Sequence, residues 1–371
     1  MRIAEAGDSL VKVVRVPDGG VQPQAAVDSK GVIHLIYCTG DPAHGDAFYV
    51  VTTNGDQFSK PIRVNSQTGS VVALGTVRGP QLAIGKDDRV HVAWMGSSVA
   101  EPKLMAHEAP MLYTHLNDAG DAFEPQRNVI RDHPGLDGGG SIAADRAGNV
   151  YVAWHAPRKL HAGEADRRVW VARSTDNGDT FSTESSFSPG DGGACGCCGM
   201  KLFASDHGDL FALYRSATQM VHRDIYLVGS HDGGKSPTAT KLGPWEIGAC
   251  VMSTAAMTST PDGGAAFAFE QQGNIVAGDI APGELTPRHV TPVPGAGRNR
   301  KHPAIAVNHA GRHLVAWTAG TAWARGGSLE WELFDEGGLP VANSGGSAND
   351  LPAWDAPAAV ATRDGSFLLF Y

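Results

Sequence analysis

The chain has 371 residues, a formal net charge of −9 and only 19% charged residues. No basic stripe is present, which excludes a phosphate-backbone partner such as nucleic acid; apolar runs such as "GNVYVAW" and "SFLLFY" fall far short of the ~20 residues that span a bilayer, so no membrane span is expected. With 47 glycines and 22 prolines separating short runs of Val, Ala, Leu, Tyr and Trp, the composition predicts many short strands joined by tight turns.

The chain begins "MRIAEAGDSL", without an apolar signal core. A first strand is expected within "RIAEAGDSLVKVVRV". Beyond it one pattern recurs seven times: a small apolar strand, a turn rich in Asp and Gly, then an alternating strand that ends in an aromatic residue. The copies are "PQAAVDSKGVIHLIY", "PQLAIGKDDRVHVAW", "GSIAADRAGNVYVAW", "MKLFASDHGDLFALY", "AAMTSTPDGGAAFAF", "PAIAVNHAGRHLVAW" and "PAAVATRDGSFLLFY". They end at Tyr37, Trp94, Trp154, Tyr214, Phe269, Trp317 and Tyr371. Each of the first six is followed by a second strand pair, such as "RVWVARSTDNGDTFS" or "DIYLVGSHDGGKS", which completes a four-stranded antiparallel sheet, the size of a propeller blade. The seventh copy stops at Tyr371, so its outer strands must come from elsewhere, and the N-terminal strand has the right pattern. These elements predict an all-β, seven-bladed β-propeller forming a single domain over 1–371, closed by pairing its N- and C-terminal strands. Six blades is the alternative if the shorter fifth copy is not a full blade.

In such a blade the turns between strands one and two and between strands three and four share one face, the bottom, and the other connections share the top. The residue after each aromatic therefore belongs to the top: Cys38, Met95, His155, Arg215, Glu270 and Thr318. The loops ahead of each innermost strand add Arg78, Cys198, Ser253, Lys301 with His302, and Asp355. Within "GACGCCGMKLF", Cys195, Cys197 and Cys198 fall in four positions, and Cys250 precedes the next blade. Soft donors gathered on a glycine-hinged turn suit Cu(I) or zinc, and His and Met nearby widen the copper option. The candidate metal ligands are Cys195, Cys197, Cys198, Cys250, His155, His302, Cys38 and Met95, with copper as the expected cofactor and zinc, or no metal, as alternatives. A disulfide is the competing reading: Cys250 with one of the three, or a vicinal Cys197–Cys198 bridge, five cysteines leaving at least one unpaired. Glu270 ends an apolar strand and is the candidate general base, His155 a candidate proton shuttle or ligand, and Arg215 completes the catalytic candidates. A small-molecule or glycan ligand at the top face is the expected partner.

The turn "STDNGDTF", Ser174 to Phe181, matches an Asp box, "SHDGG" at Ser230 repeats it in part, and "LNDAGDAF" and "VTTNGDQF" are degraded copies. On these motifs and the seven repeats the chain resembles, over its whole length, the sialidase-like (BNR repeat) superfamily. The resemblance implies a propeller whose Asp and Ser/Thr side chains hydrogen-bond the box turn while its aromatic packs between sheets. It also implies a secreted or periplasmic protein, with a leader removed. Within that superfamily the chain looks like a subgroup carrying a "CxCC" turn and, about fifty residues on, "W-x-I-x-A-C"; here these are Cys195, Cys197, Cys198 and "WEIGAC", Trp245 to Cys250.

A retaining sialidase needs an arginine triad to clamp the substrate carboxylate. The first blade lacks the arginine-plus-Ile-Pro signature, and only Arg215, Arg78 and Arg298 or Arg300 occupy top positions, so sialidase activity is not expected. Three readings follow: a metalloprotein, with copper, doing redox chemistry or handling the metal; a glycan-active hydrolase or lyase with structural disulfides; and a non-catalytic propeller that presents its top face to a partner.

Overall fold

Strand residues that alternate between two buried faces, broken by Gly and Asp turns, leave sheets stacked face to face. The computed structural model describes residues 10–188, 190, 192–295 and 299–371. Its strands form seven sheets in chain order, six of them four-stranded and antiparallel. The innermost strands of these six are Val21–Val27, Gln81–Ile84, Ser141–Ala144, Lys201–Ala204, Ala255–Ser259 and Arg300–Val307. The fifth blade is complete, continuing through Ala265–Gln271, Asn274–Ile280 and Pro287–Pro292, so the blade count is seven.

The seventh blade joins Ala358–Ala361 and Phe367–Phe370 to Val11–Val14, so the two ends of the chain close the ring. Among the described residues this blade has three strands, and Val11–Val14 pairs in parallel, with Val11 opposite Phe367 and Val14 opposite Phe370. Direction explains the departure from the antiparallel expectation. Val11–Val14 must deliver the chain to the top, where Val21–Val27 begins, and Phe367–Phe370 also runs to the top. A strand oriented like the outermost strand of a blade thus fills the place of the third.

The repeat aromatics Tyr37, Trp94, Trp154, Tyr214, Phe269 and Trp317 are all buried, and the apolar clusters between blades are built from residues of two neighbouring sheets. In the Asp box, Ser174 Oγ donates to Asp176 and accepts from the Gly178 N–H at 2.9 Å, while Asp176 accepts from the Thr180 N–H at 2.9 Å. Phe181 then meets Tyr113 of the preceding blade edge-on at 4.8 Å. Phe123 meets Tyr49 and Phe58 meets Phe370 in the same way, so the two degraded boxes likewise staple blades two and one to the blades before them. These turns join third and fourth strands and lie on the bottom, opposite the cysteine loop.

Candidate functional site

The cysteine loop enters blade four from the top. It is pinned by backbone hydrogen bonds: Cys195 N–H to Arg215 O at 2.9 Å, Gly199 N–H to Ser253 O at 2.9 Å, and Cys198 N–H back to Cys195 O at 3.3 Å. Its glycine content has a steric cause. A Cβ at Gly196 would lie 2.1 Å from Arg167 Nη1 and 2.6 Å from Asp137 Oδ2, and one at Gly138 would lie 2.2 Å from the Gly196 carbonyl oxygen.

This turn brings three sulfurs together. Cys195 Sγ lies 3.2 Å from Cys197 Sγ and 3.4 Å from Cys198 Sγ, and all three fall within 4.8 Å of one another, a group that could hold a metal ion. A disulfide would need ~2.05 Å; all five cysteines are free thiols. With metal–sulfur bonds of ~2.3 Å, three thiolates around one ion sit about 4 Å apart, so small adjustments would admit the ion. Cys195 and Cys198 are buried, Cys197 is half-buried, and Ala217, Trp245, Ile247 and Val251 pack against them. The "WEIGAC" segment is therefore the apolar lid of the thiol group.

Charge surrounds that lid. Arg215, 3% exposed, donates from Nη2 to Glu270 Oε2 at 3.2 Å and from Nη1 to Arg223 O at 2.8 Å, and its guanidinium lies 5.2 Å from the Trp245 ring. Arg223 pairs with Glu164 at 2.8 Å, and Arg167 with Asp137 at 3.0 Å. Hydrogen bonds from Cys195 and Cys197, joined by the Arg215 charge, hold the Cys198 thiol well below its usual range, while Cys197 is pushed up by its hydrogen bond with Cys195. The arrangement thus favours one thiolate shared among three sulfurs. Burial raises Glu270 despite its pairing with Arg215. Glu270 Oε1 is further occupied by the Gly273 N–H at 2.9 Å, so the candidate base is a structured member of an ion pair.

Two histidines border the thiols. His155 Nε2 lies 3.1 Å from the Cys198 carbonyl oxygen, which can only accept, so Nε2 carries the proton and the buried, unpartnered Nδ1 keeps a lone pair. His302 also has a buried, unpartnered Nδ1. Desolvation lowers both, keeping the imidazoles neutral as metal ligation requires.

The other candidates lie apart. Cys250 is exposed and falls outside the group of three. Cys38 is buried among apolar residues of blades one and two, and Met95 packs into the core between blades two and three. Arg215 and Arg300 direct guanidinium N–H groups at backbone carbonyls, Arg300 at Val293 O and Pro294 O, and Arg78 sits in a separate cavity with Cys197. Arg298 lies outside the described residues. Sequence reasoning missed Glu164, Arg167 and Arg223, which sit in or just after the loops between second and third strands of blades three and four and carry no motif.

The sequence matches no family model and no curated protein. Among solved structures, a protein of unknown function from Dyadobacter fermentans aligns with TM-score 0.57 and 16% identity over 92% of this chain and 97% of that one. A Penicillium chrysogenum alpha-L-arabinanase complexed with arabinobiose aligns with TM-score 0.55 and 13% identity over 87% and 95%. A Hadza microbial sialidase aligns with TM-score 0.52 and 13% identity over 86% and 69%. At these identities the likeness is one of fold: this chain is a propeller of the kind used by sialidases and an arabinanase.

Proposed function

We propose that this propeller is a metal-binding protein whose Cys195, Cys197 and Cys198 hold one soft ion, copper, at the channel mouth, for redox chemistry or metal handling. The carrying observation is the convergence of three reduced sulfurs within 4.8 Å under an apolar lid. Soft thiolates select Cu(I) and zinc over harder ions, and three donors suit Cu(I) without a fourth. His155 and His302 fall outside the group of three sulfurs, and in this reading they are the neutral imidazoles that would move in to complete a coordination shell. Arg215 and Arg223 serve the site as fixed positive charges that offset the sulfurs, and Glu270 and Glu164 hold the two guanidinium groups in place. On the likeness to sialidase-like proteins, the reading extends to a secreted or periplasmic setting and to a member of the "CxCC" subgroup.

Metal content after reduction, loading with copper or zinc and dialysis tests this reading. Wild-type protein retains about one equivalent, since ligands that bind only the folded state add to its stability by mass action. Replacing Cys195, Cys197 and Cys198 together by Ser abolishes retention with the fold intact by circular dichroism, whereas Cys38→Ser and Cys250→Ser retain metal. Equal retention by the triple variant, or two disulfides that take up no metal after reduction, refutes it.

A further inference from the structure

Beside the thiol group lies a second feature, a small cavity of about 50 Å³ lined by Arg78, Cys197, Met252, Lys301, His302 and Trp354 among others. Of the three clustered cysteines only Cys197, the half-buried one, lines it. Among the described residues no carboxylate does. Arg78 donates from Nε to Asp137 O at 3.1 Å and from Nη1 to Leu74 O at 3.1 Å, and Lys301 gives one proton to Val251 O at 2.6 Å, leaving two. Asp137 stands 3.6 Å from Arg78 but is already paired with Arg167 at 3.0 Å. Two polar nitrogens at the wall, His302 Nδ1 on a side chain 4% exposed and the indole Nε1 of Trp354, are buried without a partner. Buried polar groups are ordinarily satisfied, and each exception calls for an explanation.

The backbone adds an independent observation. Met252, His302 and Trp354 all hold left-handed φ values, 50°, 50° and 64°, and Gln22 does the same at 54°. All four sit just ahead of, or at the start of, an innermost strand, in blades five, six, seven and one. At Gln22 and His302 the strand is bulged, the pairing register slipping between Val21 and Gln24 and between Lys301 and Ala304. Non-glycine residues in this region carry backbone strain and gather at ligand sites. Three of the four line this one cavity.

We infer that the cavity binds a small oxyanion or short carboxylate between Arg78 and Lys301, with one of the ligand's oxygens taking up the orphaned indole N–H of Trp354 beside Cys197. Size sets the class. A water needs ~10–15 Å³ of such space, so the cavity holds a ligand of a few heavy atoms, whereas drug-sized ligands fill clefts of roughly 300–1,000 Å³. A sugar ring does not fit. As the substrate pocket of a metal centre the cavity rests on the reading given above; as an anion site it stands without a metal.

The test uses formate as the anionic probe and methylammonium as a cation of like size, each followed by ligand-detected NMR line broadening on metal-free, reduced protein in chloride-free buffer. Formate broadens in a saturable manner and methylammonium does not. Arg78→Gln and Lys301→Gln each weaken formate at least tenfold, and Lys301→Arg, which keeps the charge, restores it to within threefold. Circular dichroism and the melting curve confirm folding, and if either glutamine variant unfolds the Lys301→Arg and Trp354→Phe proteins carry the comparison, Trp354→Phe weakening formate severalfold. The Cys195, Cys198 double serine variant, which leaves the cavity's own Cys197 in place, loses metal retention but keeps formate binding, which separates failure of the metal reading from failure of this one. Absence of saturable formate binding, equal binding of both probes, or full affinity in the glutamine variants overturns the inference.

Discussion

Asp355 shows what the channel mouth does to a single charge. Its Oδ1 accepts from the Gln22 N–H at 2.7 Å and the Ala356 N–H at 2.9 Å, its Oδ2 has no partner, and burial raises it from 3.8 to about 6 against the opposing pull of those hydrogen bonds and of Arg15. An acid raised on folding binds more protons folded than unfolded, so its contribution is full below pH 4 and is lost as pH climbs from about 4 to about 6. Asp355→Asn therefore removes a falling slope of stability across that window and gains relative to wild type at pH 7, as denaturant titrations at pH 4, 5, 6 and 7 will register; parallel curves for the two proteins would contradict the assignment. The same scale explains which site residues were legible. Cys195, Cys197 and Cys198 could be grouped from sequence because four consecutive positions on a turn cannot disperse. Cys250 shares their face, yet its loop turns Trp245 and Ile247 onto the thiols and leaves Cys250 exposed, a side-chain choice that no spacing encodes. Glu270 was readable as a buried carboxyl at the channel mouth, but its partner Arg215 is fifty-five positions away in the chain and is joined to it only by the stacking of blades four and five.

At the scale of elements, the Asp box separates stability from function. Asp176 holds Thr180 and Ser174 in the turn that seats Phe181 against the neighbouring blade, and these hydrogen bonds keep its carboxyl near 2. Asp176→Ala is expected to lower unfolding free energy by roughly 0.5–1.5 kcal/mol, the net worth of turn hydrogen bonds at an exposed position, with metal retention unchanged because the turn lies on the opposite face. Loss of metal at undiminished stability would place the turn in the site. The boxes and the two-residue alternation of the strands were plain in the sequence, since both are local patterns. The left-handed residues at the channel mouth were not: Gln22, Met252 and Trp354 have no local preference for φ above zero, and they take it, with His302, only where an innermost strand enters at the mouth.

For the whole molecule, closure depends on one short parallel strand. The repeat count and the truncated seventh copy pointed to the N-terminus as its source, while the parallel sense follows from ring geometry, which requires the strand to finish at the top. Deleting residues 1–16 removes Val11, Val14 and Val16 from the cores flanking blade seven and exposes the edge of Phe367–Phe370. The truncated chain is expected to aggregate or to melt far below the intact protein in scanning calorimetry, and an unchanged melting temperature would show that the ring closes without this strand. The ring in turn holds blades three, four, five and six in the positions that bring Cys195, Cys197, Cys198, His155, Arg215, Glu270 and His302 to one mouth. Copper-edge X-ray absorption on the loaded, dialysed protein addresses that convergence directly. The account predicts a first shell dominated by three thiolate sulfurs, lost together in the triple serine variant; a shell of nitrogen and oxygen alone, or no retained copper or zinc, would contradict it.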